Sequence, residues 1–264
     1  MYSFDYARPA SVREAVSLLS SKPDAKVLAG GQTLMGTLRM RLAQPSDLVD
    51  LSGIAELKGI RADGGKIVVG AMTTHAEVAA SDAVRRAIPA LAALAGGIGD
   101  RQVRNMGTLG GSIANSDPAA CYPAGVLGLG ATIVTDRRSI PADAFFTGMF
   151  ETALAAGEIV TAVEFPVPKR AGYVKFVQPA SRFALVGVFV SEGAGGVRVA
   201  VTGAAPSVFR VKAMEDALAK NFSPDSLKGI TVPAGGLNSD LHASADYRSH
   251  LVGVIARRAV AAAG

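Results

Sequence analysis

Two short phrases hold most of the chemical information in this chain: Ala29-Gly30-Gly31-Gln32-Thr33 and Thr108-Leu109-Gly110-Gly111-Ser112. Each places paired glycines before polar residues and a possible helix. Glycine has no Cβ to hold a ligand away from the backbone, and exposed amides beside a helix N-terminus attract phosphate oxygens. Two such loops could grip one pyrophosphate from both sides. A single Gly-Gly turn is most often only a turn. Recurrence in a similar context about eighty positions later is what lifts the pair above that reading. The residues alone leave the ligand open.

Other chemistries find little support. Gly128-Leu129-Gly130 lacks the third glycine of a dinucleotide fingerprint and precedes a strand, and no P-loop or G-x-S-x-G elbow occurs. His75, His242 and His250 form no metal-ligand spacing, so no metal site is expected. His75 follows a capping signal and reads as a packed or hydrogen-bonded structural residue. The one cysteine, Cys121, excludes a disulfide framework, a four-thiolate zinc site and any cysteine-ligated iron–sulfur cluster within the chain. With Ala119 and Ala120 before it, Cys121 reads as buried and inert rather than as a nucleophile. No catalytic acid or base is assigned, and a metal redox centre would have to come from a partner.

The elements that must position the two phrases can be read from periodicity. Ser11-Val12-Arg13-Glu14 has the form of a capping box, followed by an amphipathic stripe through Val12, Ala15, Val16 and Leu19. A strand over Lys26 to Ala29 runs into Gly30-Gly31, with a helix expected from Thr33 to Arg41. A second segment starts near Glu56, with a buried strand at 66–71 and another capping box at Thr74 to Glu77. A helix over 83–95, kinked or split at Pro89, ends at Gly96-Gly97. A strand is expected from Ile159 to Phe165. Beyond Pro166 and Pro168 the pattern changes to consecutive strands at 173–177, 184–191 and 197–202, then helices at 211–220 and 244–262. Strands in succession imply an antiparallel sheet with helices on one face, a separate α+β domain.

The 264 residues suffice for roughly one to two domains. A composition 49% hydrophobic and 19% charged, with 30 glycines, is that of a globular protein, neither disordered nor collagen-like. The net charge of +5 is spread over separated basic pairs without an RNP or finger pattern, so nucleic acid is not an expected partner. Residues 118–135 are uncharged, but prolines and glycines interrupt them, which favours a buried helix and strand over membrane insertion. The N-terminus shows no signal-peptide pattern, and a cytoplasmic location is expected.

In order, AGGQTL at 29–34, VVGAMTTHAEV at 68–78, IGDRQVRNMGTLGGSIANSDPAACYPA at 98–124 and SADYRSHL at 244–251 closely resemble the FAD-binding medium subunit of the molybdenum hydroxylases, the carbon monoxide dehydrogenase and xanthine dehydrogenase type. The resemblance covers nearly the whole chain. It implies an α+β fold: a PCMH-type FAD-binding domain over 1–168, with subdomains of about 1–55 and 56–168. A C-terminal domain at 169–264, a three-stranded antiparallel sheet with helices, would follow. It also implies that 29–33 and 108–112 are pyrophosphate loops, with Leu28 and Leu34 flanking the first. Ile98, Gly99 and Val103 would line the flavin or adenine, Asn115 would make a polar contact, and Val160 would lie near the cofactor. FAD would be bound non-covalently. Electrons would come from a molybdopterin large subunit through a [2Fe-2S] small subunit, in a complex expected to be a dimer of heterotrimers, and pass to an external acceptor.

This chain departs from the family where Gln178 replaces a cation, Arg182 replaces an acid and Phe183 lacks a tyrosine hydroxyl. Cys121 stands where the family has a carboxylate that would accept from FAD hydroxyls. The leading expectation is an electron-transfer flavoprotein subunit, inactive alone. The alternative is an assembly subunit of the same complex with weak or lost FAD binding, and a stand-alone flavin oxidase is a weaker third reading. The large subunit would determine the substrate.

Overall fold

The computed structural model describes residues 1–264. A small first layer pairs β1 (Asp5–Ala7), β3 and β2 in parallel in the order β1-β3-β2, with helix α1 (Val12–Ser21) between the first two strands of the chain. Ser11 caps α1 by accepting from the Glu14 amide, but the Glu14 carboxylate accepts from Ala10 N at 2.8 Å, so the reciprocal half of the expected box forms one residue early. β2 (Lys26–Leu28) leads through the first glycine loop into α2 (Leu34–Arg39), shorter at both ends than the sequence suggests. Arg41 in the left-handed region (φ 58°) follows it, and β3 (Asp47–Asp50) closes the layer.

The second layer is a five-stranded antiparallel sheet in the order β4-β5-β10-β6-β7. β4 (Ile60–Asp63) and the buried β5 (Lys66–Gly70) precede a run of short helices: α3 (His75–Ala80), α4 (Asp82–Ala87), α5 (Pro89–Gly96), α6 (Arg101–Met106), α7 (Leu109–Asn115) and α8 (Tyr122–Gly128). Pro89 divides the apolar stretch into α4 and α5 because a proline amide cannot continue the ladder but suits a helix's first position. The Thr74–Glu77 box forms in full. After α8 come β6 (Thr132–Thr135), β7 (Ser139–Pro141), α9 (Ala142–Phe145), a small β8–β9 hairpin (Phe146–Gly148 and Glu151–Thr152) and β10 (Val160–Pro166). Residues 118–135 are thus a buried helix and a strand, and no helix of the chain is long and apolar enough to cross a membrane.

The C-terminal sheet runs β11 (Arg170–Val177), β12 (Ala184–Gly193), β13 (Gly196–Thr202) and β14 (Phe209–Arg210). It has four strands instead of three, since Phe209 and Arg210 pair with Val201 and Ala200. Two residues are too few to show alternation, so the sequence carries no sign of β14. Helices α10 (Lys212–Lys220) and α11 (Ala245–Ala262) cover one face. The largest core, of 29 buried residues, lies between the five-stranded sheet and its helices and takes in Phe189 and Ala200 from the C-terminal sheet. Gly128 allows that approach, because a Cβ there would lie 2.8 Å from the Phe189 ring.

Candidate functional site

Both glycine loops are anchored where β2 and β5 run out. Leu28 ends β2, Ala29 to Thr33 form the first loop, and Leu34 opens α2. The amides of residues 30–34 donate to no acceptor within the chain. The second loop is built differently: Leu109 N donates to Thr73 O, Gly110 N to Ala71 O and Ser112 N to Thr108 O, while Gly111 N donates to Thr108 Oγ1. These four amides are committed and only Thr108 N, at a buried residue, is left without an acceptor, so the run of free amides belongs to the first loop. The reason is a long-range ladder to residues 71–73, which local sequence does not reveal.

The loops touch. A Cβ on Gly30 would lie 2.0 Å from Met106 O, and one on Gly111 would lie 3.3 Å from the Ala29 Cβ. Along this seam the side-chain polar groups of Gln32, Thr33, Ser112 and Asn115 make no hydrogen bond within the chain. Gln32 and Thr33 are exposed and Ser112 and Asn115 half-buried, so these groups are open to a ligand or to water. Five free amides, two hydroxyls and two carboxamides form a donor-rich groove suited to a diphosphate.

Ile98 and Gly99 form the turn between α5 and α6. Gly99 is left-handed (φ 50°), with Val103 one turn further on against it. Arg104, which sequence reasoning did not single out, ties this turn down by donating to Ile98 O and Gly99 O, both at 2.9 Å. Cys121, just ahead of α8, is buried as expected. Lys175 on β11 was also missed. Its ammonium donates to Gly97 O at 2.9 Å, to Cys121 Sγ at 3.4 Å and to Arg182 O at 2.7 Å, joining β11 to the 97–99 turn and to the start of α8. The Tyr173 hydroxyl is buried beside Cys121, and burial, then the thiol, pushes its ionisation well above the usual phenol range. A carboxylate at position 121 would therefore meet a cation already in place.

Gln178 and Phe183 lie on the loop between β11 and β12, lining a crevice of about 330 Å³ with Asp117, Phe150, His242 and Arg248. Three of the four non-glycine left-handed residues gather at its rim: Ser116 (φ 47°), Phe150 (φ 56°) and Arg182 (φ 62°). Such strain persists only where surroundings over-determine it, and it marks functional loops. The Gln178 Oε1 is occupied within its own loop, accepting from Ala180 N and Ser181 N. Arg248 holds the crevice floor, donating to Leu185 O, Gly203 O and Asp240. Leu109 and Val160 do not reach the groove surface: both are buried in the main core beneath it.

Comparison with known proteins identifies the family of the chain and its fold. Residues 2–168 match the FAD binding domain in molybdopterin dehydrogenase. The chain is 39% identical to the nicotine 6-hydroxylase medium subunit of Paenarthrobacter nicotinovorans, over 98% of this chain and 96% of that one. Among solved structures, it superposes on a chain of carbon monoxide dehydrogenase from Hydrogenophaga pseudoflava with a TM-score of 0.88 and 35% identity, covering 99% of this chain and 97% of the other. Quinoline 2-oxidoreductase from Pseudomonas putida 86 gives 0.89 and 31%, with 99% and 97% covered. A groove of free backbone donors between two glycine loops, in a fold shared along almost its full length with these enzymes, places the chain in the FAD-binding medium-subunit family of the molybdenum hydroxylases.

Proposed function

We propose that the chain is the electron-transfer subunit of a heterotrimeric molybdenum hydroxylase, receiving electrons from a [2Fe-2S] small subunit that is itself reduced by a molybdopterin large subunit. The observation that carries this reading is the run of uncommitted amides at 30–34, packed against the loop that leads into α7 with its free Ser112 and Asn115 side chains. The residues present fit FAD. The first loop would hold the diphosphate through its amides, with Gln32, Thr33 and Ser112 adding donors. Leu28, Leu34, Ile98 and Val103 offer apolar edges for a ring, and Lys175, Cys121 and Phe183 lie toward the second domain. FAD supplies the reversible electron storage that no side chain here can, while the protein supplies binding and orientation. The ammonium of Lys175, fixed by three acceptors, places a positive charge at the domain junction. Phe183 presents an exposed ring without a hydroxyl, so it can pack but not donate.

A second reading, an assembly subunit with weakened FAD binding, draws on Gln178, whose carbonyl is spent within its own loop. A visible spectrum separates the two. Purified chain with flavin absorption near roughly 450 nm in proportion to protein supports the first reading, and protein that stays colourless with excess FAD supports the second. Substrate-dependent turnover is expected only after the two partner subunits are added, because one cysteine cannot hold a cluster relay.

A further inference from the structure

His75 is 5% exposed, at the start of α3 directly beneath the second glycine loop. Its backbone N–H donates to Gly107 O at 2.9 Å. Its ring fills the room a side chain at 107 would need, because a Cβ built there would lie 2.6 Å from His75 Nε2 and 2.9 Å from Cδ2. Gly107 in turn touches the first loop: a Cβ on Gly30 would lie 2.8 Å from the Gly107 Cα. Imidazole, Gly107 and Gly30 are therefore stacked in direct contact, with no space for an added methyl between them. The ring has no hydrogen bond to hold it in place. His75 Nδ1 is unpartnered, as is the hydroxyl of Tyr122, whose ring centroid lies 5.3 Å away. Buried polar atoms normally have partners, so the ring's place is set by its shape and by the glycine above it.

We infer that His75 is a positioning residue for the cofactor: its ring sets the height of Gly107 and, through it, the spacing of the two loops that bind FAD. The inference rests on the FAD reading above and extends it to a residue buried beneath the loops.

The test is titration of the full-length apoprotein with FAD, followed by flavin fluorescence, in wild type, His75→Ala, Gly107→Ala and the double variant. The first single variant removes the support and the second forces a methyl into the ring. Each is expected to weaken FAD by about tenfold or more, the equivalent of one charge-assisted hydrogen bond. In the double variant the new methyl enters the space the ring has left, with both of its sub-3 Å contacts removed and Val103 O next at 3.1 Å, so affinity should recover toward wild type. A general loss of stability predicts the opposite, with the double variant worse than either single one. Where His75→Ala loses its circular dichroism signal, His75→Ser, which also empties the space beside Gly107, takes its place under the same criteria. Wild-type affinity in the single variants, or no recovery in the double one, overturns the inference. Wild-type protein that takes up no FAD overturns the functional reading and this inference together.

Discussion

Gly30→Ala is the sharpest probe of the seam between the two loops. The new Cβ would sit 2.0 Å from Met106 O, 2.7 Å from Met106 C and 2.8 Å from Gly107 Cα, all backbone atoms that cannot rotate away. Relief to a normal contact of roughly 3.4 Å requires the loops to part by about 1.4 Å. A hydrogen bond stretched that far is lost. If two of the first-loop amides lose their phosphate partners at about 1.5–3 kcal/mol each, the loss is about 3–6 kcal/mol, or roughly two to four decades in affinity. The fold itself should survive, since overpacking typically costs about 1–3 kcal/mol against a stability of about 5–15 kcal/mol. The assay is fluorescence titration of apoprotein with FAD, with circular dichroism to confirm folding. Gly36→Ala in α2 is the control, because nothing lies within 4 Å of its Cβ, and it should bind as wild type does. Gly111→Ala, with contacts of 2.9 and 3.3 Å to side-chain atoms, should fall between the two. A folded Gly30→Ala protein whose FAD affinity lies within a few-fold of wild type would refute the reasoning.

Cys121→Asp places a carboxylate beside Lys175 Nζ, which already lies 3.4 Å from the thiol, so it should fold and tighten FAD by about one to two decades through charge-assisted acceptance; unchanged or weaker titration shows that position 121 does not touch the cofactor. Arg248→Met strands Leu185 O and Gly203 O, both bound to one guanidinium nitrogen, and should lower stability in urea unfolding by about 2–4 kcal/mol; a loss below 1 kcal/mol would mean water replaces them. His75 is pulled down to about 4, by burial and then by the positive charge of Arg104. The unfolded chain therefore binds its proton more readily, so this group's contribution is intact above pH ~6.5 and lost as pH falls toward 4. The loss should be about 2 kcal/mol between pH 7 and pH 5. Unfolding midpoints at the two pH values check it, and His75→Gln should flatten that part of the dependence.

How much of this was legible depends on the range of the forces involved. Local signals were read well: the Thr74–Glu77 box closes, Pro89 divides two helices, and Cys121 and His75 are buried. Signals that need a distant partner were not. Strands β1 and β3 are three and four residues long and exist because β3 pairs in parallel with β1 on one side and β2 on the other, a contact no local pattern announces. Phe209 and Arg210 become a strand only because β13 offers an edge. The two glycine phrases read alike, yet one keeps its amides free and the other spends them on residues 71–73 and its own Thr108. Lys175 and Arg104 escaped notice for the same reason: an isolated cation gains meaning only when its acceptors, the carbonyls at 97, 98, 99 and 182, are seen around it.

The seam between the glycine loops is also a joint between bodies of unequal strength. The layer carrying the first loop packs around a core of only eight buried residues, while the layer carrying the second belongs to the core of 29. A ligand lying along the seam fastens the weaker body to the stronger one. By mass action, FAD at about a hundred times its dissociation constant adds about 2.7 kcal/mol to that attachment. If FAD lies along this seam, the N-terminal lobe of the apoprotein is expected to open first, with limited proteolysis cutting on either side of Gly30 and added FAD slowing the cut.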